Sequence, residues 1–165
     1  MPRLIKDGAI VDDDFTLVQP GENGLELPTG NVLVALAVWE QYKDQLLAHA
    51  GKVGVQLEPH DDATALAADA GKLALVAINF PAFADGRGYS QAYLLRQRFG
   101  FGGELRAVGD VFKDTMFYQQ RCGFNSFAVR ADKDIEKALP GLTEFSEAYQ
   151  ASADRPQPLF RRRLP

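Results

Sequence analysis

The sequence predicts an α/β domain: four β-strand–α-helix units around a short, mostly parallel sheet, preceded by an N-terminal β-hairpin. The chain has 165 residues, of which 46% are hydrophobic, enough for one domain with its own core. From Gly51 onward, short apolar runs alternate with segments of helical periodicity, the pattern of βα units joined by right-handed crossovers. An open sheet and a partial TIM-like barrel both fit this pattern, which does not separate them.

The first thirty residues are expected to form the hairpin and a connecting segment. Leu4–Val11 contains an Asp-Gly pair between two apolar runs, a strong hairpin signal, and Phe15–Val18 is a candidate third strand. Residues 19–30 are polar and rich in Gly and Pro. Asn31 is then expected to cap a helix that reaches about Ala50, because the apolar residues beyond it recur at helical spacing.

The next units begin with two apolar strands. Val53–Leu57 is expected to be the first strand, and Asp61 or Asp62 can cap an Ala-rich helix that runs to about Ala70. Leu73–Phe80 is almost continuously apolar, which is typical of a strand covered on both faces. It is therefore the predicted central strand.

The third unit follows a loop, Pro81–Ser90, which leads into a helix that should end near Gly100. Glu104–Val108 is the third predicted strand. Asp110 is expected to cap the helix after it, and Gly123 to end that helix. The sequence places both stop signals at glycines.

Phe124–Arg130 is the fourth predicted strand, and Asp132 is expected to open a C-terminal helix that Pro140-Gly141 kinks or splits. The single α/β domain should therefore comprise residues 31–150. Residues 151–165, which contain prolines and three consecutive arginines, are expected to form a flexible basic tail.

Composition excludes several classes of function. The net charge of −4 leaves no basic footprint for nucleic acid, and neither a secretory signal nor an apolar run of membrane-spanning length occurs, so a cytoplasmic protein is expected. Cys122 is the sole cysteine, so one chain cannot supply a four-thiolate cluster. Gly100–Gly103 precedes a strand, unlike a dinucleotide-binding loop, and no Walker motif is present. We expect neither a cofactor nor a metal.

Polar residues follow all four predicted strands. In either architecture the loops after the carboxyl ends of parallel strands meet at one edge, where ligands usually bind. The predicted ligand-binding residues are Glu58, His60, Asp85, Gly86, Arg87, Gly88, Ser90, Asp110 and Arg130.

The loop around Arg87 has two interpretations. The glycines on either side allow backbone amides to turn inward, and Arg87 offers a fork for an oxyanion. Alternatively, Asp85 and Arg87 pair locally in a tight turn and Ser90 caps the helix. Asp110 also has two interpretations: a functional carboxylate in the loop after a strand, or a helix cap. His60 has three: a catalytic base, a metal ligand, or an ordinary loop residue.

Three segments of the chain resemble a bacterial family called domain of unknown function 934. They are Phe80–Ser90 with Leu94–Arg96 shortly after it, Gly103–Val111 and Arg121–Phe124, and the resemblance extends from about Asn31 to Phe127. Members are commonly labelled probable oxidoreductases of sulfite reduction. The resemblance implies a pathway, cysteine biosynthesis through sulfite, but no catalytic residues that can be carried over.

Two hypotheses follow. The first is an accessory protein of assimilatory sulfite reduction, non-catalytic on its own, which docks on the sulfite-reducing enzyme. The second is a small enzyme or ligand-binding domain that takes a sulfur oxyanion or a related anionic metabolite at the carboxyl-end face. The sequence leaves open whether the chain catalyses a reaction.

Overall fold

The computed structural model describes residues 2–163 and contains one eight-stranded sheet; Met1 and the last two residues of the predicted tail lie outside that range. The strands are β1 (Arg3–Lys6), β2 (Ala9–Asp12), β3 (Phe15–Leu17), β4 (Asn31–Ala35), β5 (Val53–Leu57), β6 (Leu75–Phe80), β7 (Glu104–Gly109) and β8 (Ser126–Phe127). The α-helices are α1 (Leu36–Gln41), α2 (Lys43–Leu47), α3 (Arg87–Gln97), α4 (Lys113–Arg121), α5 (Ile135–Ala138) and α6 (Leu159–Arg162).

The sheet is mixed, open and curled, with the order β2-β1-β8-β7-β6-β5-β4-β3. Strands β3 to β8 are parallel neighbours in chain order, whereas β1 pairs antiparallel with both β8 and β2. The edge strands β2 and β3 are separated in sequence only by Asp13 and Asp14. Because three Cα steps span at most about 11 Å, the two edges must approach each other there, and the sheet curls as a half-barrel.

The structure therefore confirms the α/β class and differs from the predicted sheet in two ways. The parallel part has six strands instead of four. The N-terminal strands pair across Asp7 and Gly8, whose φ angles of 50° and 81° suit a tight hairpin turn. They also continue the main sheet, because Ile5 of β1 lies opposite Phe127 of β8.

The prediction that Asn31 caps a helix is wrong. Residues 31–35 form β4, which lies between β3 and β5, and Val32, Leu33 and Val34 are buried. A short, continuously apolar run fits a buried strand and a buried helix equally well, so periodicity alone could not separate them. The helical residues begin only at Leu36.

Three predicted helices also differ from the structure. Asp62 does cap, with its carboxylate accepting the Thr64 N–H at 2.9 Å, but two 3₁₀ turns, Ala63–Leu66 and Ala70–Lys72, replace the helix. Asp110 does not cap α4, which begins after Phe112. In the last unit Asp134, not Asp132, caps α5 by accepting the N–H of Glu136.

Two further predictions concern residues near the C-terminus. The strand predicted at Phe124–Arg130 pairs only at Ser126–Phe127. The split at Pro140-Gly141 is confirmed, because α5 ends at Ala138 and a 3₁₀ turn, Leu139–Thr143, follows. None of the helices in the described part of the chain is both long enough and apolar enough to cross a membrane.

The two faces of the sheet are buried differently. The helices cover one face, where Trp39, Val76 and Leu95 belong to the large core. The other face, here called the inner face, carries a small apolar cluster of Leu33, Leu75 and Ala77. Charged side chains are buried beside that cluster.

The charges of the inner face form one network, here called the inner-face network. Arg106, whose side chain is only 3% exposed, contacts Glu104 at 2.8 Å and Asp13 at 2.9 Å. Lys6 of β1 contacts the other oxygen of Glu104 at 2.7 Å. The guanidinium carbon of Arg106 also lies 5.5 Å from the centre of the Phe15 ring. The network thus joins the hairpin, β7 and the connection between the two edges.

Candidate functional site

The predicted site residues lie in the segments that follow the carboxyl ends of four neighbouring parallel strands. Glu58 and His60 follow β5, the segment from Asp85 to Ser90 follows β6, Asp110 follows β7 and Arg130 lies beyond β8. Parallel neighbours place these segments at one edge of the sheet, here called the carboxyl-end edge. Whether they form one binding site depends on their contacts.

Asp85 and Arg87 form a local ion pair. The Arg87 Nε and Nη2 atoms donate to the two carboxylate oxygens of Asp85 at 3.0 and 2.6 Å, and the Arg87 backbone N–H also donates to Asp85. The hydrogen bond from the Arg87 side chain holds the pKa of Asp85 below its usual value. The geometry is that of the local turn, and a carboxylate already occupies the guanidinium fork.

Gly88 and Ser90, both predicted ligand-binding residues, lie at the start of a helix. Helix α3 begins at Arg87, so Gly88 and Ser90 belong to its first turn and not to the loop, and Ser90 does not cap the helix. A Cβ at Gly88 would lie 2.8 Å from ring atoms of Phe80 and 2.9 Å from Ile78 Cγ2. Gly88 therefore lets α3 pack closely on β6.

Asp110 and Arg130 meet across the ends of β7 and β8. Arg130 Nη1 donates to Asp110 at 2.6 Å, while Nε and Nη2 donate to Asp132 at 2.9 Å each. These hydrogen bonds raise the pKa of Arg130.

Beside the pair lies a cavity of about 320 Å³, here called the edge cavity, which is lined by Phe80, Pro81, Gly109, Asp110 and Arg130. One guanidinium shared by two carboxylates is a poor site for a further anion.

Glu58 contacts two amides, of Asn79 and Gln56, that are not among the predicted ligand-binding residues. Its carboxylate accepts from Asn79 at 2.7 Å and from Gln56 at 2.9 Å. The available signals were the polar positions 56 and 58, which share a face of a strand, and the polar Asn79 in an apolar strand. Gln91 of α3 donates to the backbone carbonyls of Glu58 and Asp61, which ties this loop to the helix.

His60 and Cys122 stand apart from these contacts. The His60 side chain is 77% exposed and lies 3.7 Å from Asp61 Oδ1. Within residues 2–163 no group of three or more His, Cys, Asp or Glu side chains is arranged to hold a metal ion. Cys122 is buried, and burial raises the pKa of its thiol, which disfavours the thiolate needed for nucleophilic chemistry.

An exposed apolar loop also lies at this edge. Pro81, Ala82, Phe83 and Ala84 are all exposed, Phe83 to 67%. The Phe83 ring lies against Phe112, with 5.9 Å between the ring centres. The segment belongs to the Phe80–Ser90 motif of the family resemblance, but none of its four apolar residues was among the predicted ligand-binding residues. Contiguous exposed apolar residues are typical of surfaces that bind a partner.

Comparison with known proteins gives a family without an assigned activity. No curated protein matches the chain. The family model described as "Bacterial protein of unknown function (DUF934)" matches residues 54–160, well over half of the chain, and includes most of the carboxyl-end edge. This agrees with the resemblance seen in the sequence, and the chain belongs to the DUF934 family of bacterial proteins of unknown function.

Proposed function

We propose that this chain is an accessory protein of assimilatory sulfite reduction, within cysteine biosynthesis, and is non-catalytic on its own. It docks on the sulfite-reducing enzyme through the exposed loop Pro81–Ala84. The exposure of these four apolar residues carries the docking part of the proposal. The pathway part comes from the family resemblance.

The loop is braced in a way that suits an interface. The Asp85 N–H donates to the Ala82 carbonyl at 3.0 Å, and Asp85 is in turn held by Arg87. Phe83 rests on Phe112, which restrains its ring. A preformed loop loses little conformational entropy on binding, and a buried aromatic side chain removes roughly 150–250 Å² from water.

The contacts at the edge give less support to an oxyanion-binding enzyme. A sulfur oxyanion would have to displace Asp85 from Arg87, or compete with two carboxylates for Arg130. Each exchange replaces one charge-assisted hydrogen bond with another and gains little. Docking requires no such displacement.

The direct test is calorimetric titration of the purified chain with the assimilatory sulfite reductase of the same bacterium. We expect saturable binding that Phe83→Ala weakens at least tenfold. Tyr149→Ala is the matched control, because Tyr149 is a 66% exposed aromatic residue of the C-terminal segment, and it should bind like the wild type. Failure of the wild-type chain to bind at micromolar concentrations would refute the proposal.

A further inference from the structure

The negative charge of the chain is concentrated at the carboxyl-end edge. Four segments form this edge: residues 58–62, 81–87, 110–114 and 128–134. They hold eight carboxylates and four Lys or Arg side chains. The carboxylates are Glu58, Asp61, Asp62, Asp85, Asp110, Asp114, Asp132 and Asp134, and the cations are Arg87, Lys113, Arg130 and Lys133.

The rest of the chain is formally neutral. Of the 22 acidic and 18 basic residues in the sequence, 14 of each lie outside these four segments. The net charge of −4 therefore arises at the edge that carries the exposed loop. A docking surface of this charge attracts a basic partner and repels an acidic one.

The edge cavity is open to solvent, and two charged side chains line it, Asp110 and Arg130. One oxygen of Asp110 accepts from Arg130, and no other group in the described part of the chain bonds its second oxygen. The cavity lies beside Pro81, which belongs to the exposed loop. The exposed apolar loop thus lies next to Asp110, whose carboxylate can accept a further hydrogen bond.

From the proposed docking role, we infer that the partner presents lysine or arginine side chains around an apolar pocket. Phe83 enters that pocket, and a partner cation enters the edge cavity and binds Asp110. The remaining carboxylates of the edge surround this contact with negative charge. The inference specifies the chemistry of the partner surface, and it rests on the proposed function for the identity of the docking face.

The chemistry of the face can be tested without the reductase. The ¹⁵N-labelled chain is titrated with a peptide of alternating lysine and leucine, and separately with one of alternating glutamate and leucine. We expect the lysine peptide to shift the amide signals of Phe83, Gly109 and Asp110, and the glutamate peptide to leave them unchanged. Shifts scattered over the surface, or the same shifts with both peptides, would overturn the inference.

The complex with the reductase provides a second readout. Raising the salt concentration from about 50 to 500 mM should weaken binding at least tenfold, because it screens charge pairs between the partners. Asp110→Asn, and independently Asp132→Asn, should weaken binding severalfold, whereas Glu22→Gln, an exposed acid of the connecting segment, should not. Melting curves of each variant confirm that it is folded.

The outcomes separate the two proposals. Suppose that Phe83→Ala abolishes binding to the reductase, but salt and both Asp variants leave it unchanged. That result overturns the inference of a basic partner and leaves the proposed docking function supported. Localised shifts with the lysine peptide, together with no binding to the reductase, overturn the proposed function and support the inference about surface chemistry.

Discussion

Ion pairs at the carboxyl-end edge and on the inner face use the same kinds of residue, but they differ in how far apart the partners lie in sequence and in how deeply they are buried. At the edge, Asp85 pairs with Arg87 two positions away, and the Arg87 side chain is largely exposed. On the inner face, Arg106 pairs with Asp13, 93 residues away in sequence, and is almost fully buried. The first kind of pair shapes one loop, whereas the second holds distant strands together.

The physical reason is the solvent around each pair. Water screens the exposed pairs, so their attraction contributes little to the stability of the fold. Arg106 and Glu104, at the centre of the inner-face network, have lost most of their hydration, and each of these charges depends on its partners. Substitutions in the two regions should therefore differ widely in cost.

The largest effect is expected from Arg106→Met, which keeps much of the apolar stem but leaves Glu104 and Asp13 without their central partner. We expect the free energy of unfolding to fall by about 3–5 kcal/mol, as is usual when one member of a buried pair is removed. Urea denaturation measures this. The double variant with Glu104→Gln should lose less than the sum of the single variants, and strict additivity would contradict a shared network.

Glu104→Gln should cost about 1.5–3 kcal/mol at neutral pH, the range for a hydrogen bond to a charged group. Burial alone would raise the pKa of Glu104, but the hydrogen bond from Lys6 and the charge of Arg106 outweigh it and lower the pKa. A lowered pKa gives stability that is present above the unfolded-state pKa of about 4.3 and is lost as the pH falls through the folded-state pKa.

Urea denaturation of the wild type and of Glu104→Gln between about pH 7 and pH 3 tests that direction. The difference in stability should be constant above about pH 5 and should shrink at lower pH. A difference that grows as the pH falls would show that folding raises the pKa of Glu104 instead of lowering it.

Gly88→Ala tests whether the glycine beside Arg87 serves packing or anion binding. The new Cβ would press on Phe80 and Ile78, so we expect destabilisation of about 1–3 kcal/mol, typical of an overpacked core. Gly86→Ala is the control, because only Tyr89 lies near its added Cβ, at 3.8 Å. Equal stability of the two variants in thermal melts would refute the packing role.

The smallest effect is expected from Arg87→Ala. Since the Asp85–Arg87 pair is exposed, its removal should leave the melting temperature within experimental error. Sulfate or sulfite at low ionic strength should shift the melting temperature of the wild type and of Arg87→Ala equally. If an anion instead stabilises the wild type and Arg87→Ala abolishes that stabilisation, Arg87 belongs to an oxyanion site. The charged residues of the carboxyl-end edge would then bind a ligand as well as shape a loop.

Part of the candidate site could be predicted from the sequence. The loops after parallel strands meet at one edge in any such sheet, so the positions of Glu58, Asp85 and Asp110 followed from the order of the elements. Their partners did not follow. Whether Arg130 binds Asp110, an anion or solvent depends on the distance between the ends of two strands, which the sequence does not state.

Local signals determined the local structure. Asp62 as a cap, the positive φ angles of Gly100 and Gly123 after their helices, and the break at Pro140-Gly141 all depend on residues within a few positions of one another. Tertiary structure alone decided that residues 31–35 are a strand, that Lys6 reaches Glu104, and that Phe83 is exposed. These outcomes depend on which strands become neighbours, and that choice is made by burial summed over the whole sheet.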